Sequence, residues 1–439
     1  MASASLRLNN GRSNSTNGRT KSTISCWVKR GSLGVQQDIW SWGENNSSDA
    51  YLRFDTADNL EFQCDGGGGA YNTTQLYRDT NAWYHIVCTL DGSNATDTLR
   101  RRMWVNGVQV QGPYSEGTFS AAQIGNTAQQ DFWVGGRARS QQSGATEYFD
   151  GLIAHFHYCD GYSYDVSSFG EADATTGIWK PKVSPSVNYG DNGFFLKFDN
   201  SANMGLDSSG NGVNLTTSGT VIQTKNTPSN VFATFNPLDW ANRNIALTNA
   251  NGTATNTDTA NWQGKYAMST LGMSAGKYYA EFKVGNIGSD QLYVAGIIAE
   301  PEAQNINSSI GSFGYGLYSP GKIFGLTNEL QTSLGAIVAD DIIGIAFDVT
   351  NGTLQFYKNG STIGSQVTSI ATAGKLWRFG VNGYDGSWVM HANFGNGYFG
   401  TTAVTSAQNP ADGNGIFEYS VPSGYKALCT KSINAQEYS

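Results

Sequence analysis

Short runs of alternating apolar and polar residues recur along the whole chain, with the period of two that marks a strand with one buried face. Ser22-Thr23-Ile24-Ser25-Cys26-Trp27-Val28-Lys29 alternates in this way. Ile39-Trp40-Ser41-Trp42, Tyr51-Leu52-Arg53-Phe54 and Leu60-Glu61-Phe62-Gln63-Cys64 continue the pattern. In the second half, Gly276-Lys277-Tyr278-Tyr279-Ala280-Glu281-Phe282-Lys283-Val284 and Tyr293-Val294-Ala295-Gly296-Ile297-Ile298 do the same. No stretch keeps a helical apolar period for more than a few residues. The pattern predicts a chain that is nearly all β.

Twice, a run ending in Asp precedes a second run and an Asn-Gly pair. The first copy is Trp83 to Asp91, then Met103 to Val110 with Asn106-Gly107 inside it. The second is Ile342 to Asp348, a tight turn at Asn351-Gly352, then Leu354 to Asn359-Gly360. Asn-Gly between apolar runs is a hairpin signal, because a type I′ turn needs positive φ at both central residues. The repetition suggests two β-sandwich domains on one plan.

At 439 residues the chain suits two domains. The expected division is a first domain over 1–205, a turn-rich connector over 206–238 and a second domain over 239–439. Charged residues make up only 14%, and Gly, Asn, Ser and Thr fill the gap. The net charge is −8, and Arg100-Arg101-Arg102 is the one basic cluster, read as a solvated loop end. A phosphate-binding protein needs a basic face, so nucleic acid is not an expected partner. No run approaches the length of a membrane span, and the opening residues lack a secretory pattern. Cys26, Cys64, Cys88, Cys159 and Cys429 form no CxxC pair, and their odd, scattered count argues against a disulfide framework; Cys26 and Cys88, inside strand-like runs, are expected as buried thiols. The Asn-x-Ser/Thr sequons are ascribed to composition.

Trp83-Tyr84-His85-Ile86-Val87, Trp104-Val105-Asn106-Gly107, Val134-Gly135-Gly136 and Asp150-Gly151-Leu152-Ile153-Ala154 together resemble the laminin-G-like, concanavalin A-like lectin module. In the second half, Gly276 to Glu281, Asp341-Ile342-Ile343-Gly344-Ile345, Leu354 to Gly360 and Asn393-Phe394-Gly395 resemble the SPRY domain. The resemblances imply two concanavalin A-like jelly-roll β-sandwiches in tandem. The run from Phe169 to Pro237 is similar to connectors in structural proteins of tailed, especially marine, phages. The ending Pro422 to Leu428 looks like phage SPRY proteins. These likenesses imply a non-enzymatic virion surface protein, a fibre, spike or capsid decoration. It would be assembled in the host cytoplasm, and its partners would be other virion proteins and a host-surface glycan. Fibres of this kind are commonly homotrimers, so an oligomer is expected.

Candidate chemistry is sparse. A glycosidase needs two carboxylates across a cleft; the nearest pair is Glu171 and Asp173, in an irregular segment. Asp55 and Asp58 straddle a turn. His155 and His157 share a strand face with Cys159, a spacing that suits a transition metal or simply an outer sheet face. Laminin-G-like modules often hold calcium at a loop rim, and Asp91, Asp97 and Asp150 are the oxygen donors considered for it; no other cofactor is expected. Gly395 to Gly400 matches GxGxxG without a following helix, and Gly66 to Gly69 reads as a flexible connection. Aromatics at loop and strand ends are the remaining candidates for ligand contact: Tyr71, Tyr77, Tyr315, Tyr318, Trp377, Tyr384 and Trp388. Their alternative is core packing. The rival functions are a depolymerase, which needs the missing acidic pair, and an intracellular SPRY adaptor gripping a peptide.

Overall fold

The computed structural model describes residues 4–8, 20–43, 50–64, 70–110, 131–138, 145–239, 244–256, 265–287, 293–300, 309–384 and 387–437. It divides into two units, Met1–Gln223 and Thr224–Ser439, each built on two antiparallel sheets.

In the first unit, one seven-stranded sheet runs in the order Thr216–Ser218, Ser5–Leu8, Phe132–Val134, Gln37–Trp42, Ala50–Phe54, Leu60–Gln63, Tyr71–Asn72. The six-stranded sheet facing it runs Phe194–Leu196, Gly151–Asp160, Lys21–Arg30, Tyr84–Asp91, Arg101–Val105, Val108–Gln109. Strand alternation decides which side chains meet between them. Trp40, Trp42, Phe132, Phe54 and Phe62 from one sheet pack with Ile24, Cys26, Val28, Ile86, Phe156 and Tyr158 from the other. The outer face of the six-stranded sheet is covered as well. Residues 162–190 lie over it as a strap, with Val166, Phe169, Trp179 and Tyr189 packed on Val87, Trp104 and Cys159.

In the second unit, the larger sheet runs Ile245–Thr248, Thr253–Asn256, Trp388–Asn393, Lys277–Ile287, Ile342–Asp348, Thr353–Lys358, Ser361–Val367. The smaller runs Tyr266–Met268, Leu376–Gly383, Tyr293–Glu300, Gly314–Tyr318, Lys322–Gly325, Asn328–Gln331. Along Lys277–Ile287, Tyr278, Ala280 and Phe282 enter the core, while Tyr279 and Glu281 point outward beneath the chain's last segment. There Phe417, Ala427 and Cys429 pack on Tyr279. The Glu281 carboxylate accepts the backbone N–H of Glu418 at 2.8 Å and of Tyr419 at 2.9 Å.

The stretch 206–238 is not a free connector. Thr216–Ser218 pairs with Ser5–Leu8, Leu215 is buried in the first core, and Phe232, Ala233 and Phe235 are buried in the second unit. An edge strand of Thr and Ser carries no apolar alternation, which is why its composition reads as a turn. All five cysteines are buried, and none of them forms a disulfide. Arg101 is buried in a strand rather than solvated, with its guanidinium over the Tyr71 ring at 5.8 Å.

The repeated hairpin is present in both units, with one difference. Asn106 and Gly107 take φ of 50° and 85°, as a type I′ turn requires. In the second unit the type I′ pair is Asn359-Gly360, at 49° and 80°. Asn351-Gly352 instead ends a longer loop, in which Asp348 Oδ1 accepts the Asn351 N–H at 2.9 Å. The two type I′ asparagines make the same clamp. Asn106 N–H donates to the His85 carbonyl at 2.9 Å and its Oδ1 accepts the His85 N–H at 2.8 Å. Asn359 does the same to Ile342, at 2.9 and 2.8 Å. Asn359→Ala leaves the Ile342 N–H unpaired and puts alanine at positive φ. Urea unfolding is expected to show a loss of about 2–3 kcal/mol in the second unit.

Candidate functional site

Lys21 opens one central strand of the six-stranded sheet, and Asp160 closes its neighbour, so both stand at the same end of the sandwich. The chain then turns at Gly161, with φ of 89°, and its N–H donates to the Lys21 carbonyl at 3.0 Å. It returns along the strap, where the Asp160 N–H donates to the Tyr189 carbonyl at 2.9 Å. Gly190 is required here, because a Cβ would lie 2.0 Å from the Asp160 carbonyl oxygen. The result is an open groove of about 360 Å³ lined by Thr20, Lys21, Asp160, Gly161, Tyr162, Gly190 and Asp191.

Asp160, Tyr162 and Lys21 are each held in the groove by a neighbour. Asp160 is 3% exposed; its carboxylate accepts Asn192 Nδ2–H at 2.6 Å and the Tyr158 hydroxyl at 3.4 Å. Tyr162 is 38% exposed, with its ring stacked on Tyr164 at 6.0 Å and its hydroxyl accepting Asn188 Nδ2–H at 2.9 Å. Lys21 Nζ lies 3.3 Å from Asp91, whose carboxyl is held below its ordinary range by the Ser93 hydroxyl and Lys21 against the opposing effect of burial. An exposed aromatic face beside a fixed carboxylate suits a ligand with an apolar ring face and hydroxyl groups. Two aspartates against one paired lysine disfavour an anion.

The aromatics singled out from sequence fall elsewhere. Tyr71, Tyr77, Tyr315, Tyr318, Trp377 and Trp388 are buried. Tyr71 donates its hydroxyl to the Val110 carbonyl, and Tyr77 meets Tyr84 edge-on at 5.4 Å. Tyr315, Trp377 and Trp388 belong to the second core. Tyr318 lies beyond it, packed with Ile310 of the short helix Ile310–Phe313, and its hydroxyl meets Ser309 Oγ. Tyr384 is half-buried, and its carbonyl accepts Lys265 Nζ–H at 3.1 Å.

The three aspartates considered for calcium do not converge. Asp91 pairs with Lys21 at one end of the Lys21–Arg30 strand. Asp150 is at the other end, where its carbonyl accepts the Gly31 N–H at 2.8 Å and its carboxylate accepts the Ser32 hydroxyl. The strand's length, about 30 Å at roughly 3.3 Å per residue, separates them. The side chain of Asp97 lies outside the described residues. Among the described residues no group of three His, Cys, Asp or Glu is arranged to hold a metal ion.

Asp173 is a turn residue that accepts the Thr175 and Thr176 N–H groups and pairs with Lys180 at 3.0 Å, and Glu171 lies 3.8 Å from the same lysine. Asp58 is buried in an ion pair with Arg30 at 3.0 Å, and Asp55 caps its own turn. In Gly395 to Gly400, the Asn393 Oδ1 accepts the Gly395 and Gly397 N–H groups, and the two-residue strand Thr402–Ala403 follows rather than a helix. Gly66 to Gly69 lie outside the described residues.

His155 and His157 do share an outer sheet face, across a bulge at which His155 takes φ of 47°. Sequence distance hid their third neighbour, His85, which reaches the same face two strands away. Nor did any pattern mark the Asp160–Tyr162 turn, whose partners Gly190 and Asn192 come from a separate loop.

The concanavalin A-like lectin/glucanases superfamily model, Laminin_G_3, matches residues 2–161, most of the first unit's sheets. No curated protein matches the chain. Among solved structures, the TRIM65 PSpry domain is similar at 15% identity and a TM-score of 0.29, over 37% of this chain and 88% of that one. A human SPRY domain is similar at 16% and 0.28, over 34% and 95%. The SPRY domain of human HERC1 is similar at 15% and 0.28, over 34% and 91%. The chain is nearly all-β, two concanavalin A-like jelly-roll sandwiches in tandem, and residues 2–161 of its first unit are similar to the concanavalin A-like lectin/glucanases superfamily.

Proposed function

We propose that the chain is a non-enzymatic binding protein that holds a neutral glycan in the Asp160–Tyr162 groove. We place it on the surface of a tailed-phage particle, as a fibre, spike or capsid decoration. One observation carries the binding reading: an exposed tyrosine face stands beside a buried, hydrogen-bonded aspartate. Sugar rings stack on such a face and donate hydroxyls to such a carboxylate. The likeness of residues 169–237 and of the chain's ending to phage structural proteins supports the placement. Display in several copies would multiply a weak single-site affinity.

A glycan array and host-cell binding assay on the purified chain tests the ligand. Asp160→Asn removes the charged acceptor and Tyr162→Ala the stacking face, and each is expected to weaken binding about 10–100-fold. No binding by the native chain, or equal affinity in both variants, overturns the groove reading. Immunogold labelling of purified particles tests the placement, and unlabelled particles overturn it.

A further inference from the structure

His85, His155 and His157 stand together on the outer face of the six-stranded sheet, and the strap 162–190 covers His85 and His157 completely. His85 lies between two indoles. The Trp27 ring stacks on it with centroids 4.7 Å apart at 13°, and the Trp179 ring of the strap reaches its edge, with centroids 6.0 Å apart at 26°. Trp179 Nε1–H donates to His85 Nδ1 at 2.9 Å. An indole N–H can only donate, so Nδ1 carries no proton and Nε2–H donates to Ser25 Oγ, also at 2.9 Å. The slot for Trp179 is fitted: a Cβ on Gly107 or Gly170 would lie 2.8 or 2.5 Å from its ring atoms. His157 is the second anchor, with Nδ1 2.9 Å from the Tyr189 hydroxyl and its ring 3.9 Å from Phe195.

We propose that the strap is an acid-released latch: a proton on His85 Nδ1 meets the indole N–H of Trp179 and frees the strap from the sheet. A second proton, on His157, keeps an acceptor in the Tyr189 hydroxyl but leaves a charge buried beneath Tyr189 and Phe169 that only release of the strap returns to water. The groups facing these rings do not offset the added charge. His85 faces Ser25 and Trp27 from one strand, His155 and His157 from the next, and Trp179 from the strap. His157 faces His155, Tyr189, Phe169 and Phe195. His155 faces Lys197 and Asp199. Lys29, on the same strand as Trp27, is buried near Asp79.

Burial pushes His85 down to about 3, His157 well below its ordinary value, and His155 in the same direction. A group depressed in the closed form favours closure fully above its open-state value and loses that contribution as pH falls toward the closed-state value. Below about pH 6.5, each of the two buried histidines multiplies the open-to-closed ratio about tenfold per pH unit, and both together about a hundredfold. Tyr162, Gly190 and Asp191 belong to the strap or its root, so release also takes apart the groove. That consequence rests on the glycan reading; the latch does not.

Amide hydrogen exchange, corrected for its intrinsic pH dependence, is followed in the full chain from about pH 7.5 to about pH 4.5. Protection over 162–190 is expected to fall about a hundredfold per pH unit below about pH 6, while Gln37–Trp42 stays protected. His85→Gln keeps an acceptor for Trp179 and a donor for Ser25 but cannot titrate, so the slope is expected to drop to about tenfold. Trp179→Phe keeps the ring without the N–H and is expected to loosen the strap already at neutral pH. Strap protection that is flat with pH, that falls only with the whole unit, or that keeps its slope in His85→Gln overturns the latch. A working latch with no glycan binding would leave the latch standing and remove only its consequence for the groove.

Discussion

Replacing Glu281 with alanine is expected to lower the melting temperature of the second unit by about 6–12 °C, a loss of about 3 kcal/mol. The change removes both acceptors for the Glu418 and Tyr419 N–H groups, through which the last segment of the chain is held on the sheet. Glutamine at the same place cannot titrate; it keeps one of the two acceptors and turns its NH2 toward the other N–H, a cost that does not vary with pH. Burial lifts the Glu281 carboxyl from 4.5 up to about 7, against the lowering effect of its hydrogen-bond donors. A carboxyl raised on folding gives stability that is complete below its unfolded value and is lost as pH rises through the folded value. The native protein is therefore expected to lose about 3 kcal/mol relative to Glu281→Gln between about pH 4.5 and about pH 8. Asp341 and Asp348 in the same unit are lowered and push the other way, so the difference between native protein and Glu281→Gln is the quantity to follow in urea unfolding. A difference that does not change with pH would mean that Glu281 stays ionised when buried.

A chain ended at residue 205 is expected to aggregate, whereas one ended at 223 is expected to stay soluble and melt cooperatively. The shorter form loses the buried Leu215, its N–H bond to the Gly205 carbonyl at 2.8 Å, and Asp207, whose Oδ1 accepts the Phe195 N–H at 2.9 Å. It also loses the neighbour strand of Ser5–Leu8. Together these are worth roughly 4–6 kcal/mol, a large share of the 5–15 kcal/mol that holds an ordinary domain folded. Size-exclusion chromatography and thermal melts of the two forms compare them directly. Equal behaviour would mean that 206–223 is a connector after all.

The sandwich plan is legible in the sequence because it rests on a local rule, the period of two. Trp377, Phe379 and Val381 share one parity and share one core, so parity alone would have placed Trp377 inside rather than on a loop surface. Tyr318 obeys the same rule on the opposite face, but what buries it is a short helix that no apolar period announces. The polar groove and the histidine face are not legible for a related reason. Each is assembled across sheet registers, His85 beside Trp27 and Trp27 beside Ala154, which the order of residues does not record. The Asn-Gly clamp stands between these cases. The turn pair is local, yet which of Asn351 and Asn359 forms the tight turn depends on whether Asp348 caps the first loop.

The pairing of Ser5–Leu8 with Thr216–Ser218 sets a delay during synthesis. At about 5–20 residues per second, Ser5–Leu8 leaves the ribosome about 10–40 s before its outer neighbour does. For that interval its hydrogen-bonding edge is open to any other nascent chain. Arg7, placed in the middle of that strand and pointing away from the core against Trp133 and Asp131, puts a charge on the waiting edge until the last strand arrives.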